Sequence, residues 1–494
     1  MEHSRAMNQI TSKFNWIFNE YKGLPDVGYY IGSKWSWAGP LKMHYTYPYS
    51  GEISHVYSIT HVKQVVKAIK DQSVTPTPVA SRLVDRLSLL KALAVGIEKY
   101  SKELSMAISI ISGKPLREAE FEVDMSVELL ENSYIMLETY GNPKRMTNNM
   151  IVSSGPSNGA SIIMPSYTSP ILTSVFGVIH AIAIGSSLLI LKPPSKAPLP
   201  VVLLASILVE NEIKNIIVTP PISGPVILDV LINNVLVSHI FASGSTKTIE
   251  SISRRSPGLH KVLWASDLSA AVVCDESVVE KAARVILESR LAGCGDLCLN
   301  THVVFVPEQI LESMEDKLAL LASNERPGDP LDYETTIGPL LDDERSSFME
   351  SLIDDAVSRG ARLLWGMRLK PSLYHPFVLG NVKKASKIIW QRTIVPLIGV
   401  VPVKTCMEGV LIADSLPYTR ALLFYDDNPY NYLDKLRMLK INLIYVNKFK
   451  MDRTDFYDEC ANIYTSPLID STWSRRIFKS IILGEEEYEP ETYR

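Results

Sequence analysis

The chain has 494 residues, too many for one ordinary domain and enough for two or three. Hydrophobic residues make up 46% and charged residues 21%, the balance of a globular protein with a sizeable core. A formal net charge of -4, with no concentrated Lys/Arg stripe, argues against a nucleic-acid partner. The five cysteines (Cys274, Cys294, Cys298, Cys406 and Cys460) are sparse and odd in number, so no disulfide framework is expected and a reducing cytoplasm fits. Cys294-x3-Cys298 lacks a second close pair, so no metal is expected. The N-terminal MEHSRAMNQI has no apolar h-region, so no signal peptide is expected there. Glutamine occurs only at Gln9, Gln64, Gln72, Gln309 and Gln391, a hint of a hot source.

Residues 27–60 read as short strands and turns, punctuated by Gly32, Gly39-Pro40 and Ser50-Gly51. Residues 61–139 carry apolar positions at spacings of three and four, the helical period, with Gly113 as a C-cap. Residues 140–155 are polar and turn-rich, and predict a protruding hairpin. From 149 to 191 there is no Asp, Glu, Lys or Arg, long enough for a membrane span. Pro165, Pro170 and Gly185 instead cut this run into strand, helix and strand, which predicts a buried βαβ unit. Strands at 160–164, 187–191, 215–220 and 237–242 alternate with helices at 170–184, 198–210, up to about 231, and from 246. That alternation predicts an α/β fold with a doubly wound parallel sheet, whose ligands sit at the carboxyl ends of the strands. A second α/β stretch is expected from Val262. It has helices at 278–291, 307–323 and 344–359, and strands at 298–306, 362–365, 396–403, 420–425 and 441–446. FKSIILG (478–484) reads as a lone strand suited to pairing with another subunit. The tail GEEEYEPETYR is acidic and expected to fray.

Motifs in order along this frame resemble those of the aldehyde dehydrogenase superfamily. LKPPSKAPLP (191–200) resembles its strand-end Lys-Pro segment, and ASGST (242–246) its Phe-Thr-Gly-Ser-Thr turn. GCGDLC (293–298) resembles its Asn-x-Gly-Gln-x-Cys loop, at matching spacing from Gly244. GDPLDYETTIGPLL (328–341) resembles its Gly-Asp-Pro…Gly-Pro-Leu segment, and IYVN (444–447) also falls in place. The resemblance covers nearly the whole chain and is nearest in flavour to archaeal non-phosphorylating glyceraldehyde-3-phosphate dehydrogenase. It implies a cofactor domain (1–130 and 155–261), a catalytic domain (262–455), and small β oligomerisation elements (131–154 and 456–494).

The family's reaction needs a thiolate to attack an aldehyde, a nicotinamide to accept hydride, and water to clear the thioester. The resemblance puts the nucleophile at Cys298, whereas a cysteine met without it is more often a small buried hydrophobe. Thr168 stands where the family has its oxyanion-donor Asn, and could equally be the N-cap of the following helix. The family's general-base Glu falls on Trp264, which cannot take a proton and would fill the place of the hydrolytic water. Asp267 is a displaced base or an exposed turn residue. For the cofactor, Lys192 matches the residue that holds the adenosine ribose or its 2′-phosphate. Ser195 replaces the NAD-selecting Glu, with Lys196 beside it, which tilts the expectation from NAD to NADP. Gly244 and Ser245 would bring backbone N–H groups to a pyrophosphate, although a Ser there is also a plain helix cap. The family's Glu-x-Phe-Gly-Pro becomes Arg392-Thr-Ile-Val-Pro396, so the carboxylate for the nicotinamide ribose is gone.

The expected activity is therefore NAD(P)-dependent oxidation of a small aldehyde through a Cys298 thioester, weakened or altered. The alternative is a catalytically silent paralogue acting as a structural or regulatory subunit. A third reading passes the acyl group to coenzyme A. A cytoplasmic homo-oligomer, dimer or tetramer, is expected, or an assembly with an active paralogue, with no membrane and no nucleic acid.

Overall fold

A computed structural model describes residues 2–72, 83–134, 137, 144–146, 149–151, 159–455 apart from 214, 223, 267, 298, 418, 442 and 453–454, and residues 480–483. The chain opens with a helix that the sequence reading did not anticipate, α1 (Glu2–Lys13). Its Ala6, Met7 and Ile10 face the core at helical spacing. Six strands follow: β1 (Phe18–Tyr21), β2 (Leu24–Val27), β3 (Tyr29–Ile31), β4 (Lys34–Ser36), β5 (Leu41–Thr46) and β6 (Ile53–Ile59). Then come α2 (Val62–Gln72), α3 (Leu83–Lys99), α4 (Ser101–Ser112) and α5 (Leu116–Glu131). Gly113 ends α4 in the left-handed conformation at φ 76°, donating its N–H to Ser109, so it is the C-cap. β7 (Lys144–Met146) and β8 (Asn149–Ile151) pair as an antiparallel ribbon within the segment expected to form a hairpin.

The alternating region contains β9 (Ala160–Met164), α6 (Pro170–Ala183), β10 (Leu188–Leu191), α7 (Leu199–Glu210), β11 (Ile216–Val218), α8 (Gly224–Ile232), β12 (Val237–Ser245), α9 (Thr246–Arg255) and β13 (His260–Ser266). Seven strands run β13-β12-β9-β10-β11-β3-β4 across one sheet. The first five are parallel, and β3 and β4 close the edge antiparallel. The uncharged run becomes β8, β9, α6 and β10. Every residue of α6 is buried, so its apolar surface is covered by protein all round. No described helix is long and apolar enough to cross a membrane.

The second half holds β14 (Leu268–Val273), α10 (Val279–Leu291), β15 (Thr301–Pro307), α11 (Leu311–Ser323), α12 (Asp343–Ser358), β16 (Arg362–Trp365), β17 (Phe377–Gly380), α13 (Lys387–Trp390), β18 (Leu397–Val403), α14 (Cys406–Ser415), β19 (Thr419–Tyr425), α15 (Leu433–Arg437), β20 (Leu443–Val446) and β21 (Ser480–Leu483). Eight of its strands form a sheet in the order β16-β17-β18-β15-β14-β19-β20-β21. Apolar clusters lie on both faces, around Leu291 and Tyr425 on one and Phe305 and Phe424 on the other.

Three expectations are corrected. The strand read as opening the second α/β stretch, β13, pairs along its whole length with β12, so it belongs to the first sheet. The second sheet begins at Leu268. β21 is not a lone strand: Ser480–Leu483 pair parallel with Leu443–Val446 of the same chain. Without β21 the outer edge of β20 would leave its backbone groups unpaired. Finally, Cys274 and Cys406 are joined as a disulfide with Cα atoms 5.4 Å apart. Sparse cysteines excluded a framework, but not one bridge between residues 132 apart in sequence. The Asp426 carboxylate lies within 4.8 Å of both sulfurs.

The two halves also meet backbone to backbone. A Cβ built on Gly338 would lie 1.7 Å from the Gly113 carbonyl oxygen, so the Gly-Pro-Leu segment fits the end of α4 only with glycine there.

Candidate active site

The carboxyl ends of β9, β10 and β12 open into a cavity of about 820 Å³. Met164–Tyr167, Lys192, Pro194–Lys196 and Ser243–Ser245 form one wall. The other wall comes from the second half: Glu344, Arg345 and Phe348 of α12, with Arg392 and Ile394 ahead of β18. Ligands of an open parallel sheet are expected at such a crevice.

Lys192 leaves β10 into this cavity and is 4% exposed. Burial lowers its pKa to about 8, because a desolvated ammonium is costly. Its nearest side-chain partner is the Ser195 hydroxyl at 3.5 Å, an uncharged group. Ser195 is fixed in turn by the Tyr45 hydroxyl, which donates to its carbonyl at 2.7 Å. Lys196 is half exposed at the rim and paired with Asp342 at 2.6 Å and Glu344 at 3.7 Å. Ser245 is the N-cap of α9, its hydroxyl accepting the Thr248 N–H at 3.3 Å. The cap reading of Ser245 therefore holds, and it places the start of α9 beside Gly244 on the cavity wall. A buried ammonium with no carboxylate partner at hydrogen-bond distance among the described residues, beside a helix start, suits an anionic ligand such as a nucleotide phosphate. The residues present thus fit the adenosine and diphosphate portions of a dinucleotide.

After α10 the chain makes a tight turn in which Gly293 (φ 62°), Cys294 (φ 55°) and Gly295 (φ 84°) are all left-handed. This loop is fixed both by residues that flank it and by one from far along the chain. The Glu118 carboxylate accepts the Gly293 N–H at 2.6 Å. Arg290 is fully buried and donates to the carbonyls of Gly295 and Val395, each at 2.5 Å, and of Thr393 at 3.3 Å. Burial lowers its pKa to about 9. Asn300 donates to the Ala292 carbonyl at 3.0 Å. A Cβ on Gly295 would come 2.6 Å from the Val395 carbonyl carbon, so the loop lies flat on the segment before β18. Cys298 lies outside the described residues, but its neighbours Leu297 and Leu299 are 3% and 1% exposed. Cys294 is a buried core residue whose thiol points to the Gly113 carbonyl at 3.7 Å.

Asp296, two residues before Cys298, ties this loop to the cavity. Its carboxylate pairs with Arg345 at 2.5 Å and faces Arg392 at 3.7 Å. The Tyr167 hydroxyl donates to it at 2.5 Å. Burial, and then the Asp296 charge, push the Tyr167 phenol above its ordinary range, so it stays protonated.

Thr168 is half-buried beside Tyr167, and its hydroxyl is bonded to Ser166 Oγ at 2.7 Å. It is not the N-cap of α6: that position is Ser169, which makes no side-chain cap bond. The role passes to Glu122 of α5, whose Oε1 accepts the Ile171 and Leu172 N–H groups at 2.8 and 3.3 Å. Lys114 bridges the Glu122 carboxylate at 2.6 Å and the Thr168 carbonyl at 2.8 Å.

Trp264 is 7% exposed and meets Phe176 edge-to-face at 5.0 Å. The void beside it, lined by Met164, Thr173, Phe176 and Phe241, is about 10 Å³. That is at or below the space one water needs, and the lining is mostly apolar. Asp267 lies outside the described residues. The sequence reading missed Glu118, Glu122, Arg290 and Arg345. The i, i+4 spacing of two glutamates on a predicted helix was the one visible signal, and it reads equally well as a solvated face.

The sequence pattern of the Aldehyde dehydrogenase family matches residues 37–457. A lactaldehyde dehydrogenase of Methanococcus maripaludis is 27% identical over 340 residues, covering 67% of this chain and 72% of that one. One from Methanocaldococcus jannaschii is 23% identical over 423 residues, covering 82% and 90%. Among solved structures, an NADP-dependent glyceraldehyde-3-phosphate dehydrogenase from Bacillus halodurans, complexed with NADP, superimposes with a TM-score of 0.78 at 20% identity, covering 87% and 92%. An NAD+ complex of an aldehyde dehydrogenase from Bacillus cereus gives 0.78 at 20%, covering 89% and 91%. With a family match over residues 37–457, and a crevice and cysteine loop in the order the motifs require, the chain belongs to the aldehyde dehydrogenase family.

Proposed function

We propose that this protein is an NAD(P)-dependent aldehyde oxidoreductase. It works through a thioester on Cys298, prefers NADP to NAD, and clears the thioester slowly. One observation carries the reading. The crevice walled by Lys192 and the start of α9 is tied, through the Arg345–Asp296 pair, to the loop two residues before Cys298.

A nicotinamide cofactor, when bound, supplies the hydride acceptor. Lys192 holds the adenosine ribose or its 2′-phosphate, and Ser195 presents no carboxylate to repel that phosphate. Gly244, Ser245 and the first turn of α9 hold the diphosphate. The Cys298 thiolate attacks the aldehyde carbon to form the thiohemiacetal that loses hydride. The Thr168 hydroxyl donates to the oxyanion that forms. Hydrolysis is the weak step: Trp264 offers no proton acceptor, and the void beside it gives an activated water little room. The substrate is a small aldehyde, with lactaldehyde and glyceraldehyde 3-phosphate the first to screen, after the relatives' names. A cytoplasmic homo-oligomer, dimer or tetramer, completes the reading.

The test is calorimetric titration with NADP and NAD, followed by aldehyde-dependent NADPH formation by the wild type and Cys298→Ala. NADP binding with Cys298-dependent turnover supports the proposal. Absence of binding at millimolar cofactor sinks it.

A second reading is a catalytically silent subunit. Arg392 favours it, because it lies on the crevice wall facing Asp296, where the family resemblance calls for a ribose-binding carboxylate. Co-purification with an active dehydrogenase chain and no turnover alone would support that reading. Acyl transfer to coenzyme A, the third, is assayed by adding that thiol to the same reaction.

A further inference from the structure

Two carboxylates on one helix grip both halves of this site. Glu118 and Glu122 lie four residues apart on α5, and so on one face of it. Both are buried, at 5% and 0% exposed. Glu118 reaches the turn that leads to Cys298, through the Gly293 N–H at 2.6 Å. Glu122 reaches the first turn of α6 through the Ile171 and Leu172 N–H groups, and Thr168 just before it through Lys114, which it shares with the Thr168 carbonyl. The two turns lie about 125 residues apart in sequence and come from different halves of the chain.

A buried carboxylate costs several kcal/mol unless it is fully paired, so an apolar face would be the cheaper way to pack α5. What the carboxylates add is direction. Glu118 accepts the Gly293 N–H of the turn, and Glu122 accepts two N–H groups from the first turn of α6. The Gly293 turn most needs this, since Cys294 holds a positive φ that a non-glycine residue adopts only at a cost.

We propose that Glu118 and Glu122 are positioning residues that fix the Gly293 turn, which leads to Cys298, relative to the segment that carries Thr168. The inference rests on the thioester reading above. α5 acts as a ruler: one helical turn separates the grip on the nucleophile loop from the grip on the oxyanion loop. Neither glutamate lines the cofactor crevice, so the ruler is separable from cofactor binding.

The experiment compares full-length wild type with Glu118→Ala, Glu122→Gln and Glu118→Asp. Site-resolved mass spectrometry follows iodoacetamide alkylation of Cys298 against pH, and NADP affinity and kcat are measured below each variant's melting temperature. The expected result is a kcat about 10- to 100-fold lower in Glu118→Ala, the usual cost of roughly 1 Å of misplacement. The alkylation profile of Cys298 should shift in the same variant. NADP affinity should stay within about twofold, and Glu118→Asp should recover part of kcat. Unchanged kcat and alkylation in both Glu118→Ala and Glu122→Gln would overturn the proposal. So would loss of activity, NADP affinity and melting temperature all together, which is what a purely structural role predicts. If the wild type turns over no aldehyde, the thioester reading fails by itself. The Cys298 alkylation profiles then still decide whether α5 positions the loop.

Discussion

The carboxylate of Asp296 meets the guanidinium of Arg345 at 2.5 Å, with the two side chains 4% and 10% exposed. Asp296 belongs to the cysteine loop and Arg345 to the helix opposite, so this pair is the latch between loop and crevice. Removing one partner leaves the other charged and buried. Asp296→Ala is therefore expected to cost about 3–5 kcal/mol, read as a lower urea midpoint. A change below about 1 kcal/mol would mean that water already reaches the pair.

Lys192 gives a pH dependence with a definite sign. Its pKa falls from 10.5 in the unfolded chain to about 8 in the fold. The cost of the buried cation, about 3 kcal/mol, is fully present below pH 8 and is relieved as the pH rises from 8 to 10.5. Lys192→Met should thus stabilise the free protein at pH 7 and abolish NADP binding. In the wild type, NADP affinity should weaken above pH 8 as the ammonium deprotonates, by at most about tenfold per pH unit. Calorimetry at pH 7 and pH 9 measures it, and equal affinities would show that Lys192 does not touch the cofactor.

The indole of Trp264 should make deacylation rate-limiting. Rapid mixing of protein, NADP and a reactive aldehyde is expected to give a burst of about one NADPH per Cys298, then a slow steady rate. Trp264→Ala should cost about 3–5 kcal/mol of stability, as for other large aromatics removed from a core. It should also raise the steady rate relative to the burst, since the void would admit water. A linear time course without a burst contradicts this order of steps.

The Cys274–Cys406 bridge closes a long loop, its ends 132 positions apart in sequence. Chain-entropy arguments put its contribution at about 3–5 kcal/mol. Reductant should lower the melting temperature of the wild type by several degrees and leave Cys274→Ser unmoved. Five free thiols in denatured, non-reduced protein would refute the bridge.

Much of the first sheet was legible because buried parallel strands announce themselves. ASIIM and LLIL are unbroken apolar runs set off by Pro165, Pro170 and Gly185, and they form β9 and β10. Helix ends were legible where chemistry marks them, as at Gly113. What escaped notice depends on the third dimension. Nothing in the residues around Cys274 points to Cys406. Arg290 reads as a surface charge in the last turn of α10, yet it is fully buried and takes three main-chain carbonyls. Thr168 reads either as oxyanion donor or as helix cap, the second because Thr before a helix often is one. Glu122 took that role from another helix, which no local window contains. The boundary near Val262 was misplaced for a similar reason: β13 and β14 are consecutive apolar strands that belong to different sheets.

The contact between Gly338 and the Gly113 carbonyl has a mechanical meaning. Where side chains separate two elements, rotamer changes let them slide. Here Gly338 meets the Gly113 carbonyl directly and the neighbouring side chain is the rigid ring of Pro339, so this seam has little such lubricant. The rim pairs of Lys196 with Asp342 and Glu344 are the opposite case: half-exposed ion pairs that break at little cost.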